Sequence, residues 1–123
     1  MRILVIEDDA QVREMICKIL NEEGNDMIEA ANGKEAINLL NIEPKIDLVI
    51  TDIIMPEKEG IETILELKQD YPGIKILAIS GGGKGNAQNY LTLAKAMGAD
   101  LVLKKPFVKQ ELLGAVQTLC DHN

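Results

Sequence analysis

The stretch "DLVITDIIMPEKEG", residues 47–60, carries one carboxylate, Asp52, between an apolar run and a proline-containing loop. The run shows no polar alternation, so it reads as a strand over 46–50 buried on both faces, as strands of parallel sheets are. An acid at the end of such a strand is an expensive choice unless something uses it.

Outward from this stretch, strand and helix periods alternate. "RILVI" (2–6) and "IKILAIS" (74–80) are apolar runs of the same kind, and "DLVLK" (100–104) is a shorter one. "NDMIEA" (25–30) has polar ends and reads as an edge strand. Val12, Met15, Ile16, Ile19 and Leu20 recur at helical spacing, with Gly24 where a C-terminal cap belongs. Asn32 with Glu35 three residues on is close to a capping box and starts the second helix. A third helix covers 61–70 and stops at "YPG" (71–73), and a fourth spans 87–97 after the loop "GGGKGN" (81–86). The last carries Leu112, Leu113, Val116, Leu119 and Cys120. Strictly alternating strands and helices mean βαβ units, right-handed crossovers and a parallel sheet with helices on both faces.

The totals agree with one α/β domain over 1–123. The chain has 123 residues, 46% of them hydrophobic but only 2% aromatic, so its core is aliphatic. A formal charge of −7 disfavours nucleic acid or an anionic membrane surface as a direct partner. Cys17 and Cys120 sit at apolar helix positions without CxxC or His spacing and read as small core residues in a reducing compartment. No apolar stretch is long enough for a signal peptide or a membrane span, so the expected location is cytoplasmic.

Ligands of open parallel sheets bind beyond the carboxyl ends of the strands, at the switch in strand order. At those ends lie Glu7, Asp8 and Asp9, then Thr51 and Asp52, then Ser80, then Lys104 and Lys105 before Pro106. Singly, each has a plain structural reading: Asp9 as a helix N-cap, Glu7 and Asp8 as solvated acids, Ser80 as the start of a glycine turn, the lysines as a surface pair. Together they make a cluster of carboxylates with one hydroxyl and one ammonium. Gathered acids either protonate or hold a cation, and oxygen donors without His or Cys select Mg²⁺ over Zn²⁺. The phosphate-loop pattern G-x-x-x-x-G-K-[ST] is not met around Lys84. An aspartyl phosphatase would need a second acid where Ile54 stands.

The order "ILVIEDD", "DLVITDIIMPEKEG", "ILAIS", "VLKKPF" resembles the receiver domain of bacterial two-component response regulators, of the single-domain chemotaxis-regulator kind. The resemblance covers essentially the whole chain and includes D-x-x-M-P-x-x-x-G at Asp52, Met55, Pro56 and Gly60. It implies a flavodoxin-like doubly wound (βα)5 sheet in the order 2-1-3-4-5. It also implies Asp52 as phosphoacceptor, fed by a histidine kinase or histidine phosphotransfer protein. Mg²⁺ would be held by Glu7, Asp8, Asp52 and the backbone carbonyl of Ile54. Lys105 would pair with Asp52 and then with phosphoryl oxygens, behind a Lys105–Pro106 bond that is often cis in the family. Ser80 would donate to a phosphoryl oxygen, and an unidentified output protein would read the result.

Three departures from the family pattern carry expectations of their own. Val102 replaces the usual aromatic three residues before the lysine, so switching should stay in the loop after Ser80 and in helix 87–97. Gly81, Gly82, Gly83 and Gly85 should leave that loop mobile without phosphate. Ile54 and Gly82 offer no polar side chain to orient an attacking water, so self-dephosphorylation should be slow. The competing reading is a phosphorylation-independent interaction module that keeps the fold. The chain could be a stand-alone regulator or a domain cut from a longer one.

Overall fold

A computed structural model describes residues 1–42, 45–53, 59–80, 92 and 94–121, the side chains of 59, 60 and 121 excepted. Five parallel strands form one sheet: β1 (Arg2–Ile6), β2 (Asp26–Ala30), β3 (Leu48–Asp52), β4 (Lys75–Ser80) and β5 (Leu101–Lys104), in the order β2-β1-β3-β4-β5. Helices α1 (Ala10–Glu22), α2 (Gly33–Ile42) and α3 (Glu59–Asp70) alternate with them, and a C-terminal helix (Lys109–Asp121) follows β5. Residues 92 and 94–97 are helical, between β4 and β5. This is the flavodoxin-like architecture, with β2 at an edge.

The unbroken apolar runs are explained by burial on both faces. Alternate residues of one strand feed opposite cores: Ile3, Val5, Leu48, Ile50, Leu77 and Ile79 pack with α1 and the C-terminal helix. Leu4, Ile6, Val49, Ile76 and Ala78 pack with α2 and α3. Each such side chain contributes roughly 1.5–3 kcal/mol by leaving water, so neither face could be made polar. Val102 is paired with Ala78 and packs half-buried against the second of these cores.

Helix ends follow the sequence signals closely. Asp9 caps α1, its Oδ1 accepting from the amides of Gln11 (2.9 Å) and Val12 (3.3 Å). At the other end, Gly24 N–H donates to Asn21 O and Asn25 N–H to Leu20 O, a Schellman closure that needs the left-handed φ of +91° at Gly24. Asn32 Oδ1 accepts from the Glu35 amide (2.8 Å), and Glu35 Oε1 from Ala31 N–H (3.4 Å), one residue short of the expected reciprocal cap.

Gly98 has the second positive φ, +126°, and a Cβ there would stand 2.6 Å from Lys68 Cγ, whereas one at Gly24 meets nothing. Lys68 is tied at its end to Asp100 Oδ2 (3.1 Å), which also accepts from the Ile76 amide (2.8 Å). Gly24→Ala should therefore cost about 1 kcal/mol, for backbone strain alone. Gly98→Ala should cost about 2–3 kcal/mol, because the Lys68 clamp must also move. Urea denaturation of both variants checks the ranking.

Several boundaries differ from the sequence reading. The third strand begins at Leu48 and includes Thr51 and Asp52, because Asp52 still pairs in register with Ile79 of β4. The third helix begins at Glu59 instead of 61. Met15, counted in the α1 stripe, is exposed, and burial falls on Ile16 and Leu20 with Cys17 beside them. Both cysteines are free and half-buried; burial and the charge of Glu29 push the Cys17 thiol up to about 11, which keeps it protonated and inert. Ile54, Met55, Pro56, the glycine loop 81–86 and most of the helix expected over 87–97 lie outside the described residues.

Candidate functional site

Strand alternation decides which side chains meet beyond the sheet's carboxyl edge. Glu7 continues the face of Ile3 and Val5, Asp52 that of Leu48 and Ile50, and Lys105 that of Leu101 and Leu103. All three therefore converge over the α1 side of the sheet. Lys105 Nζ donates to Glu7 Oε1 and to Asp52 Oδ2, each at 2.9 Å. Glu7 is 2% exposed and Asp52 6%, so these are buried pairs, bridging 98 and 53 positions of sequence.

Asp8 adds a third carboxylate. One oxygen from each of Glu7, Asp8 and Asp52 lies within 4.8 Å of the others, and Asp8 is the exposed member. Asp9 stands apart, committed to its cap, while its amide donates to Glu7 Oε2 (3.1 Å). Ser80 is fully buried and its hydroxyl has no hydrogen-bond partner among the described residues; its carbonyl accepts from the Lys105 amide (2.8 Å). The Lys105–Pro106 bond is cis. Thr51 uses its hydroxyl on the Asp52 carbonyl (3.1 Å) and Lys104 ends β5, so neither joins the charge cluster.

The electrostatics are those of one cation shared by too many acids. Burial pushes the Glu7 carboxyl up to about 7, Lys105 pulls against it, and the charge of Asp52 adds to the rise. Burial alone would lower the Lys105 ammonium, but its bonds to Glu7 and Asp52 reverse that and leave it raised. Three carboxylates facing one ammonium leave an excess of negative charge, and the donor set is all oxygen. Such a pocket can hold a hard divalent cation. Two unit charges ~4 Å apart at an effective dielectric of ~20 interact by about 4 kcal/mol before desolvation, so a cation there has strong leverage.

A pH dependence follows. Below pH 4.5 Glu7 is protonated folded and unfolded, and it has no effect on the balance. Between 4.5 and about 7 the unfolded chain releases this proton first, so metal-free stability falls as pH rises; above about 7 the penalty is complete. Glu7→Gln should gain about 1–3 kcal/mol relative to the parent between pH 5 and pH 8, because a tenfold difference in proton affinity between folded and unfolded chains is worth about 1.4 kcal/mol. Urea titrations in chelator at both pH values test this; a constant difference between the two proteins would refute it.

The sequence missed Arg13, whose guanidinium reaches Glu7's carbonyl and Glu29's carboxylate. The sequence reading assigned it no role. Glu7's burial was equally hidden, although continuing the odd-numbered face of β1 by one step would have revealed it.

A family model described as the response regulator receiver domain matches residues 3–117. The phosphate regulon transcriptional regulatory protein PhoB of Escherichia coli is 34% identical over 118 residues, covering 96% of this chain and 51% of that protein. A response regulator receiver domain protein from Clostridium thermocellum superposes with a TM-score of 0.87 at 29% identity, over 98% of this chain and 94% of that one. The chemotaxis protein CheY4 of Vibrio cholerae gives a TM-score of 0.84 at 27% identity, over 96% and 97%. The chain spans about half the length of the curated relatives it matches. Among the described residues no helix is long and apolar enough to cross a membrane.

Proposed function

Because this chain belongs to the receiver-domain family of two-component response regulators, we propose that it accepts a phosphoryl group on Asp52 in a Mg²⁺-dependent reaction and thereby switches its contacts with a partner. The observation that carries this reading is Lys105 Nζ bridging the buried carboxylates of Glu7 and Asp52 beside Asp8. A structural salt bridge needs one acid per cation; this arrangement keeps surplus negative charge around a nucleophile at a fixed point.

Glu7, Asp8 and Asp52 are the side chains that would hold the cation, with Ile54's carbonyl as a proposed fourth donor. Bound there, Mg²⁺ supplies counter-charge to incoming phosphoryl oxygens. An Asp52 carboxylate oxygen attacks phosphorus; the O–P bond forms as the P–N bond of a phosphohistidine breaks, and the freed imidazole takes up a proton. Lys105 releases Asp52 and follows the charge onto a phosphoryl oxygen, a move open to a mobile ammonium. The buried Ser80 hydroxyl, without a partner among the described residues, donates to another phosphoryl oxygen.

The donor is a histidine kinase or histidine phosphotransfer protein, and the product is read by an output protein. The product should behave as an acyl phosphate. After incubation with Mg²⁺ and a small phosphodonor, neutral hydroxylamine should remove the added phosphoryl group. A hydroxylamine-resistant adduct would place the group on a hydroxyl such as Ser80 and count against Asp52.

A further inference from the structure

We infer that Arg13 is a positioning residue for the cation site, an inference that rests on the Mg²⁺-dependent reading above. The ladder between β1 and β2 ends at Ile6 and Ala30, with one further bond from Glu7 N–H to Ala30 O (3.1 Å). Beyond that point the ladder supplies no partner for Glu7's own carbonyl among the described residues. Arg13 supplies the donor from α1: its Nη1 donates to Glu7 O at 2.7 Å. The guanidinium is held in turn by Nε on Glu29 Oε1 of β2 at 3.1 Å, and the Arg13 side chain is largely buried. The bonded carbonyl belongs to the peptide joining Glu7 to Asp8, so its orientation fixes how two of the three clustered carboxylates face each other. A planar fork held at both ends defines that peptide plane in a way a single flexible ammonium does not.

Charge and position make opposite demands here, which gives the test its sign. As a charge alone, Arg13 repels a cation, so its removal would tighten Mg²⁺ binding. As a positioning group, its removal lets the 7–8 peptide rotate and weakens binding, by about 10-fold or more for a group that orients metal ligands.

The experiment is calorimetric titration of Mg²⁺ into the chelator-treated protein and into Arg13→Ala, Arg13→Lys and Glu29→Gln, with circular-dichroism melts showing each folded at the assay temperature. Arg13→Ala should bind about 10-fold more weakly, Arg13→Lys between it and the parent, and Glu29→Gln about 3-fold more weakly. Unchanged or tighter binding by Arg13→Ala, with the parent binding normally, would overturn the inference. If Arg13→Ala does not fold, unchanged binding by both remaining variants would overturn it. Failure of the parent itself to bind Mg²⁺ would instead overturn the reading on which the inference rests.

Discussion

Asp52→Asn is expected to fold like the parent and to take up no phosphoryl group, a fall of about 1000-fold or more below the parent's uptake at saturating Mg²⁺. The amide keeps an oxygen for Lys105 but has no anionic lone pair to attack phosphorus. It also removes one carboxylate from a cluster whose three acids lie within 4.8 Å of one another, so Mg²⁺ binding should weaken as well. Stability should hold, because Asp52 sits in a ladder formed by backbone groups that the substitution does not touch. Intact mass spectrometry reads uptake, and a thermal melt reads the fold. An adduct of undiminished yield in this variant would mean another nucleophile, with Glu7 and Asp8 both beside the site.

Lys105→Ala should produce the largest stability change of any single substitution at the site. It leaves the carboxylates of Glu7 and Asp52, 2% and 6% exposed, without the ammonium that both use. Breaking a buried pair costs about 3–5 kcal/mol when the remaining charge stays buried. Lys105 itself is 22% exposed, and Glu7 escapes by keeping its proton, so about 2–3 kcal/mol at pH 7.5 without metal is the expected loss. The loss should shrink at pH 5.5, where Glu7 is protonated in the parent too, and Mg²⁺ should recover part of it at pH 7.5. Phosphoryl uptake should slow by about 10- to 100-fold, since the lysine's part is charge stabilisation and not bond formation. Denaturant melts at two pH values, with and without Mg²⁺, separate these effects. A loss that is the same at both pH values would show that Glu7 does not share the lysine's charge.

The fold was legible because both faces of the sheet are buried: "ILVI" (3–6), "LVI" (48–50) and "ILAI" (76–79) carry no polar interruption, as strands of a parallel sheet between helices do. Caps were legible for the same local reason, since Asp9, Gly24 and Asn32 act on amides and carbonyls within five residues. Strand ends were not. Thr51 and Asp52 look like loop residues by polarity, yet the backbone ladder to Ala78 and Ile79 carries the strand through them. Polarity reports where a side chain would like to be, and the ladder responds to its neighbour.

At the site, residue types were readable and burial was not. Asp8 and Glu7 are adjacent acids in the sequence, but alternation buries Glu7 against Lys105 and leaves Asp8 in solvent. The Glu7–Lys105 contact spans 98 positions, which no local pattern reports. Arg13 was hidden because its work is done on a backbone carbonyl, and carbonyls have no signature in a sequence.

On this reading, the carboxyl edge of the sheet forms an acyl phosphate on Asp52 with the help of a divalent cation. The measurement that meets it most directly is intact mass after incubation with acetyl phosphate, with Mg²⁺ and with chelator, followed by peptide mapping of any adduct. One phosphoryl group per chain, present only with Mg²⁺ and mapping to the peptide that contains Asp52, is the predicted result. An unmodified mass from folded protein at saturating Mg²⁺ would contradict the account.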